Sequence, residues 1–352
     1  MIVNNQKKLI LFKKYFNKKK FICVDTEFER KKTYYSKLSI ITISDGKKIF
    51  IFDILKYPYQ INFLREVFKS NSKLKILHGG NQDIEIFLNF KINIEPFFDT
   101  QIASGFLGFD KNISYANLVR KFFNKNIDKT NQNKDWLKRP LTKSQISYLQ
   151  KDVIYLKKIY YLQIKLLKKQ KKINFINEEF NLLIKKIKKK DGINSKFKKK
   201  LGQQICKNIN FLKLIKLRDK KGMEKNLPKN WIISDDDIIA MIKSKKLFNL
   251  KKNKFFEKKE IKILINLLNK IFKITNNRKY NEIEIKCLEF FKYLVSKKYL
   301  IDSNLIASKY DLYDYKIIRK NSSWRDKIFY KVFEEITKGK KKFVIKEFKS
   351  VH

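Results

Sequence analysis

The sequence predicts an α/β N-terminal half followed by an all-α C-terminal half, and three observations carry that expectation. Apolar and β-branched runs of strand length, split by an Asp-Gly turn, crowd into residues 21–52. Short buried-strand runs then alternate with helical periods as far as residue 99, the pattern of an α/β fold. Beyond that point, and throughout the stretch after 205, apolar residues recur at helical spacing.

Taken in order, Phe21-Ile22-Cys23-Val24, Leu38 to Ser44 and Ile49-Phe50-Ile51-Phe52 are expected as the strands of a meander, with Asp45-Gly46 as its tight turn. A helical stretch over 60–69 leads to a short strand, Leu74-Lys75-Ile76-Leu77. Gly79-Gly80 then opens a helix with Ile84, Phe87 and Leu88 on one face. Pro96-Phe97-Phe98 is a further short apolar segment ahead of Asp99-Thr100, and helical spacing runs from there to 169. Residues 1–170 form the first expected domain. The stretch 171–204, with Lys188-Lys189-Lys190 and Lys198-Lys199-Lys200 around Asp191-Gly192, is expected as a basic linker, with a solvated helix as the alternative of much the same appearance. Two helical blocks follow, over 205–275 and 280–345, divided near the polar Thr275-Asn276-Asn277-Arg278.

Composition narrows the function. With 83 Lys+Arg against 34 Asp+Glu the net charge is +49, which disfavours a metal-chelating acidic tail or a neutral small-molecule pocket and favours a polyanion. Lys, Asn, Ile and Phe are abundant while Gly and Pro are scarce, as an AT-rich coding bias would also give, so charge alone does not decide the partner. Cys23, Cys206 and Cys287 lie far apart without a CxxC pair, and the histidines are His78 and His352, so a disulfide framework and a Cys/His zinc site are disfavoured. No run approaches the roughly 18 uninterrupted apolar residues of a membrane span. No apolar signal core follows Met1, and a cytoplasmic protein is expected.

Five residues can carry chemistry together. Asp25 and Glu27 stand at i and i+2 after Val24, so on a strand both carboxylates face one side. Such a pair is either a polar strand end or a cradle for Mg²⁺ or Mn²⁺, which prefer oxygen ligands. Asp83 falls in the first turn of a helix, where the dipole favours an acid in any case. Tyr148 and Asp152 are an i, i+4 pair on one helical face. Combined, the four acids can neutralise two divalent cations, the standard device for in-line displacement at phosphorus. One cation would activate water and the other the leaving 3′ oxygen. A phenol with an ordinary pKa near 10 suits orienting that water better than removing its proton.

At these residues the sequence resembles the ribonuclease D family of DEDD-type 3′→5′ exoribonucleases, in the tyrosine-containing subgroup. The matching segments are Phe21 to Phe28 around Asp25-Thr26-Glu27, Leu77 to Glu85 around Asp83, and Tyr148-Leu149-Gln150-Lys151-Asp152-Val153. Arg30 to Leu38 and Asp135-Trp136-Leu137-Lys138-Arg139-Pro140-Leu141-Thr142 look like the family as well. The resemblance spans roughly residues 10–170. It implies a ribonuclease-H-like α/β fold, two divalent metals held by Asp25, Glu27, Asp83 and Asp152, and Tyr148 in the catalytic set. It also implies release of 5′-mononucleotides from RNA with a free 3′ end, tRNA precursors included, by a monomer. Thr26, Phe28, His78, Gln82, Trp136 and Arg139 are the implied substrate contacts.

The second half resembles the helical HRDC domains of that family, through Leu227 to Ser234 for one copy and Ile306-Ala307-Ser308 with Ser323-Trp324-Arg325 for a divergent second. Leu247 to Phe256 departs from the pattern, since no glycine stands where a glycine-containing helical hairpin is expected. Two competing readings are a DNA-directed proofreading-type exonuclease and an RNA-binding protein without catalysis. A helicase is set aside for want of a GxxxxGK[ST] loop.

Overall fold

A computed structural model describes residues 1–69, 72–128, 130, 132, 134–189, 195–248, 250, 253–274, 282–313 and 323–341. The chain divides into two units. The first takes in residues 1–104 and the described residues of 112–276, and the second 105–111 and the described residues of 277–352.

The first unit is built on a six-stranded sheet. In chain order its strands are β1 (Ile2–Val3), β2 (Phe21–Glu29), β3 (Lys37–Ser44), β4 (Ile49–Asp53), β5 (Leu74–Leu77) and β6 (Phe97–Asp99). They lie in the order β1-β4-β3-β2-β5-β6. The expected meander is present: β2, β3 and β4 are antiparallel, while β5 and β6 continue from β2 in parallel. Asp45 makes the tight turn by accepting the Lys47 and Lys48 N–H groups on Oδ1, and Gly46 takes φ +83°, a conformation glycine adopts without steric cost.

Helices α1 (Gln6–Asn17), α2 (Gln60–Phe68), α3 (Asn81–Asn89), α4 (Thr100–Phe106), α5 (Tyr115–Phe123), α6 (Lys143–Ile154), α7 (Leu156–Lys169) and α8 (Ile173–Lys189) accompany the sheet. α1 buries Leu9, Phe12 and Phe16, and the Phe12 ring meets Phe50 and Phe52 of β4 edge-on at 5.2 and 4.9 Å.

The segment expected as a basic linker over 171–204 is corrected for most of its length. α8 buries Ile176, Phe180 and Ile184, and the Phe180 ring lies 5.0 Å from Phe97 and 5.5 Å from Phe98. Each such side chain contributes about 1.5–3 kcal/mol on burial. The lysines crowd the solvent side of an amphipathic helix, which is why charge density reads as a linker when the i, i+4, i+8 apolar stripe is passed over. Lys190 to Asn194, between α8 and the next helix, lie outside the described residues.

The first helical block begins earlier than 205. It comprises α9 (Ser195–Lys207, broken at Gly202), α10 (Ile209–Lys225), α11 (Lys229–Ile232), α12 (Asp235–Ser244) and α13 (Lys258–Phe272). Phe197 and Leu201 of α9 join Phe211, Leu214, Ile238, Leu264 and Leu268 in one core. Arg218, fully buried, donates to Asp235 at 2.6 Å. This block meets the sheet domain through the β2–β3 connection, where the Tyr35 N–H points to Asn226 Oδ1 at 3.4 Å and Tyr34 lies against Gly222.

The second unit holds α14 (Glu282–Tyr299), α15 (Ser303–Ile306), α16 (Lys309–Tyr313) and a π-helical segment over Asp326–Tyr330 that runs on into a helix over Lys331–Thr337. It also takes in 105–111: Phe106 packs against the buried Trp324 at 5.0 Å, and Asp302 binds the Gly105 carbonyl and the Lys111 N–H. Thr275 to Arg278, where the two helical blocks were expected to divide, lies outside the described residues.

Candidate active site

β2 carries the first two acids because of how its neighbours end. Its register with β5 runs from Phe21↔Leu74 to Cys23↔Ile76, after which β5 turns off at His78-Gly79-Gly80 into α3. β3 continues alongside, with Asp25 opposite Thr42 and Glu27 opposite Ile40. Asp25 and Glu27 therefore stand where β2 has lost one neighbour and side chains from α3 can approach.

α6 lies against β2, β3 and β4 and brings the other pair. Its start is set by a capping box in which Thr142 and Gln145 satisfy each other's free N–H groups. One turn on, Tyr148 packs with Ile40, Ile51, Trp136 and Leu149, and the next turn presents Asp152.

One oxygen from each of Asp25, Glu27 and Asp152 lies within 4.8 Å of the others, a set able to hold a divalent cation. Asp83 stands outside that set but interacts with it: its charge adds to Asp25 and Glu27. Burial, followed by the charges of Asp152, Asp83 and Glu27, holds the Asp25 carboxyl well above the usual carboxylate range. Burial and then Asp152 and Asp83 push Glu27 up to about 9. Asp83 is raised to about 6, by burial first, against the Thr26 hydroxyl that donates to it. Four carboxyls so placed hold protons or cations, since that much negative charge does not persist together in a desolvated site. The donor set, all oxygen and mutually repelling, fits hard divalent metal.

Tyr148 bonds Asp152 through its phenol, and burial together with the Asp152 and Glu27 charges pushes its pKa up. It is a proton donor and stays one. Asp25, Tyr148 and Asp152 line a cavity of about 310 Å³ with His78, Gly79, Gln101 and Tyr115.

The chain matches the 3′-5′ exonuclease domain family over residues 1–169. It is 28% identical to Ribonuclease D of Bartonella henselae over 348 residues, 91% of this chain and 86% of that protein. Along most of its length the chain is thus similar to ribonuclease D proteins. It is also 30% identical to Ribonuclease D of a Shewanella species over 226 residues, 63% of this chain and 58% of the relative, so that match spans less than two thirds of the relative's length. Among solved structures, Escherichia coli RNase D, an exoribonuclease involved in structured RNA processing, shares the fold with a TM-score of 0.72 over 96% of this chain and 98% of its own, at 21% identity. A Bifidobacterium adolescentis protein does so at 0.64 over 96% and 97%, at 15% identity. The ribonuclease D family is divalent-metal dependent, in keeping with the acidic cluster.

The five residues expected from the ribonuclease D resemblance converge on one site. Most of the expected substrate contacts do not reach it as such. Trp136 is buried beneath Tyr148, ring centroids 5.8 Å apart, so it is a packing residue. Arg139 is corrected too: its five N–H bonds go to Asp53 (2.6 and 2.7 Å), Ser39 (2.8 Å) and the carbonyls of Trp136 and Lys138 (both 2.8 Å). Thr26 is buried and gives its hydroxyl to Asp83, and both ring nitrogens of His78 have protein partners, Thr100 Oγ1 and the Ile113 carbonyl. His78 nevertheless borders the cavity, whereas Phe28 and Gln82 are absent from its lining. Tyr115 and Gln101 were missed because neither falls in a recognisable motif; a cavity in the folded chain is what collects them.

Proposed function

We propose that this protein is a metal-dependent 3′→5′ exoribonuclease that removes 5′-mononucleotides from the 3′ ends of structured RNAs, tRNA precursors among them. The observation that carries the reading is the convergence of the half-buried Asp25, Glu27 and Asp152, with Tyr148 bonded to Asp152. Asp25, Glu27 and Asp152 would hold one Mg²⁺ or Mn²⁺, and Asp83, whose charge acts on Asp25, would complete the place for a second. Bound ions of this kind supply a nucleophilic water at neutral pH and stabilise the leaving 3′ oxygen. Tyr148, kept protonated by burial and neighbouring carboxylates, orients the attacking water as a donor rather than taking its proton.

The net charge of +49 supports an RNA partner held through its phosphates, a contact that positions a strand without reading its sequence. The two helical blocks, read as HRDC-like, would each supply further phosphate contacts. No helix among the described residues is long and apolar enough to cross a membrane. By resemblance to ribonuclease D we assign the protein to the cytoplasm as a monomer.

The test is a time course on 5′-labelled single-stranded RNA and its DNA counterpart, with Mg²⁺, with Mn²⁺ and with chelator, beside Asp25→Ala. A metal-dependent ladder shortening from the 3′ end of RNA alone is expected. Equal digestion of DNA would favour the proofreading-type reading, and binding without cleavage under every metal would leave an RNA-holding protein.

A further inference from the structure

Asp99 is an acid with no part in the chemistry above. It ends β6, is 1% exposed, and lies opposite Leu77, the last residue of β5 before the turn into α3. Its carboxylate accepts four backbone N–H groups from two different elements. Oδ1 takes those of Gln101 (2.8 Å) and Ile102 (3.3 Å), the usual capping bonds at the start of α4, and also that of Gly79 (3.0 Å). Oδ2 takes that of Gly80 at 2.8 Å.

Gly80 is the N-cap of α3 and has no side chain with which to cap it. The Ile84 N–H closes the first helical turn onto the Gly80 carbonyl at 2.8 Å, so the placement of Gly80 fixes the position and rotation of the turn that carries Asp83. Gly79 holds φ +63°, and a Cβ there would come 3.2 Å from Gln101 Oε1, so the turn sits tightly under α4.

We propose that Asp99 is a positioning residue of the metal centre: by tying the Gly79–Gly80 turn to the start of α4 it sets where Asp83 stands, and with that the affinity of the Asp83 side for a divalent cation. The proposal rests on the reading of Asp83 as a metal ligand. Groups that orient ligands from behind tune affinity without touching the ion, typically by about 10- to 100-fold.

The test uses the full-length protein and Mn²⁺ alone as probe, with free Mn²⁺ followed by its EPR signal, beside the Mg²⁺ dependence of RNA cleavage. Asp99→Asn keeps the Oδ1 bonds and loses the Gly80 bond and the charge. Asp99→Ser keeps a cap for α4 and cannot reach the α3 turn, and it serves if the first variant does not fold. Weaker Mn²⁺ binding by about tenfold is expected in either variant, with a matching rise in half-saturating Mg²⁺ and turnover at saturating Mg²⁺ within about threefold of the unsubstituted protein. In an Asp83→Asn background the Asp99 substitution should add nothing further. Unchanged Mn²⁺ affinity in a folded variant, or a loss of turnover that excess metal does not restore, overturns the proposal. If Asp83→Asn itself leaves Mn²⁺ binding and cleavage intact, it is the assignment of Asp83 as a ligand that falls.

Discussion

Arg139 grips Asp53 with two parallel hydrogen bonds, Nε to Oδ2 at 2.6 Å and Nη2 to Oδ1 at 2.7 Å, and with its remaining N–H groups holds the Trp136 carbonyl and the Ser39 hydroxyl. Ser39 binds the same Trp136 carbonyl at 2.5 Å. The end of β4, the start of β3 and the loop before α6 are thereby locked around the indole that supports Tyr148. Arg139→Lys keeps the charge but cannot reproduce the fork. It should cost about 1–3 kcal/mol in urea unfolding while KM for RNA stays within about twofold. A large rise in KM with unchanged stability would restore Arg139 as a substrate contact.

Asp25→Asn and Asp152→Asn should each lower turnover by about 10³-fold or more while RNA affinity, measured by filter binding, is retained. The acids face one another in a half-buried cluster, whereas the positive charge that meets phosphate is spread over the chain. Turnover that survives either substitution would remove these carboxylates from the reaction.

Tyr148→Phe should bind Mn²⁺ normally and turn over about 10- to 100-fold more slowly, because a positioned donor is lost and no metal ligand is. The pH–rate profile should keep its shape, since the Tyr148 pKa is raised away from the working range. Loss of Mn²⁺ affinity in this variant would mean that the phenol supports the ligands rather than the water.

Without metal, stability should fall as pH rises. Asp83 and Glu27 have folded pKa values of about 6 and about 9, above those of an unfolded carboxyl, so the native state binds more protons than the unfolded state between pH of about 4 and 9. The contribution is complete below that window and is lost across it. Millimolar Mg²⁺ should flatten the slope, because cation replaces proton in the same site, and apparent metal affinity should climb with pH for the same reason. Thermal melts at several pH values, with Mg²⁺ and with chelator, measure this; parallel curves in the two conditions would count against a metal centre here.

Phe180→Ala should destabilise the protein by about 3–5 kcal/mol, the cost of a cavity where α8 meets Phe97 and Phe98. A surface linker would lose no more than about 0.5 kcal/mol. Urea unfolding distinguishes the two.

Local pattern and spacing were enough for the strands, because short apolar and β-branched runs such as Leu38 to Ser44 have few alternatives, and for the pairing of Asp25 with Glu27 and of Tyr148 with Asp152, because strand and helix periods fix which side chains share a face. Family resemblance supplied the link among those pairs and Asp83. The folded chain decided what the remaining residues do. Arg139 and Trp136 look like contacts in a motif and turn out to support Tyr148, since the partners that occupy them, Asp53 and Ser39, lie about 85–100 positions away along the chain. Asp99 and Gly80 meet only because β5 and β6 pair in register. Periodicity reports the local geometry of the backbone, whereas the chemistry of a buried carboxylate depends on which distant donors and charges the fold brings to it.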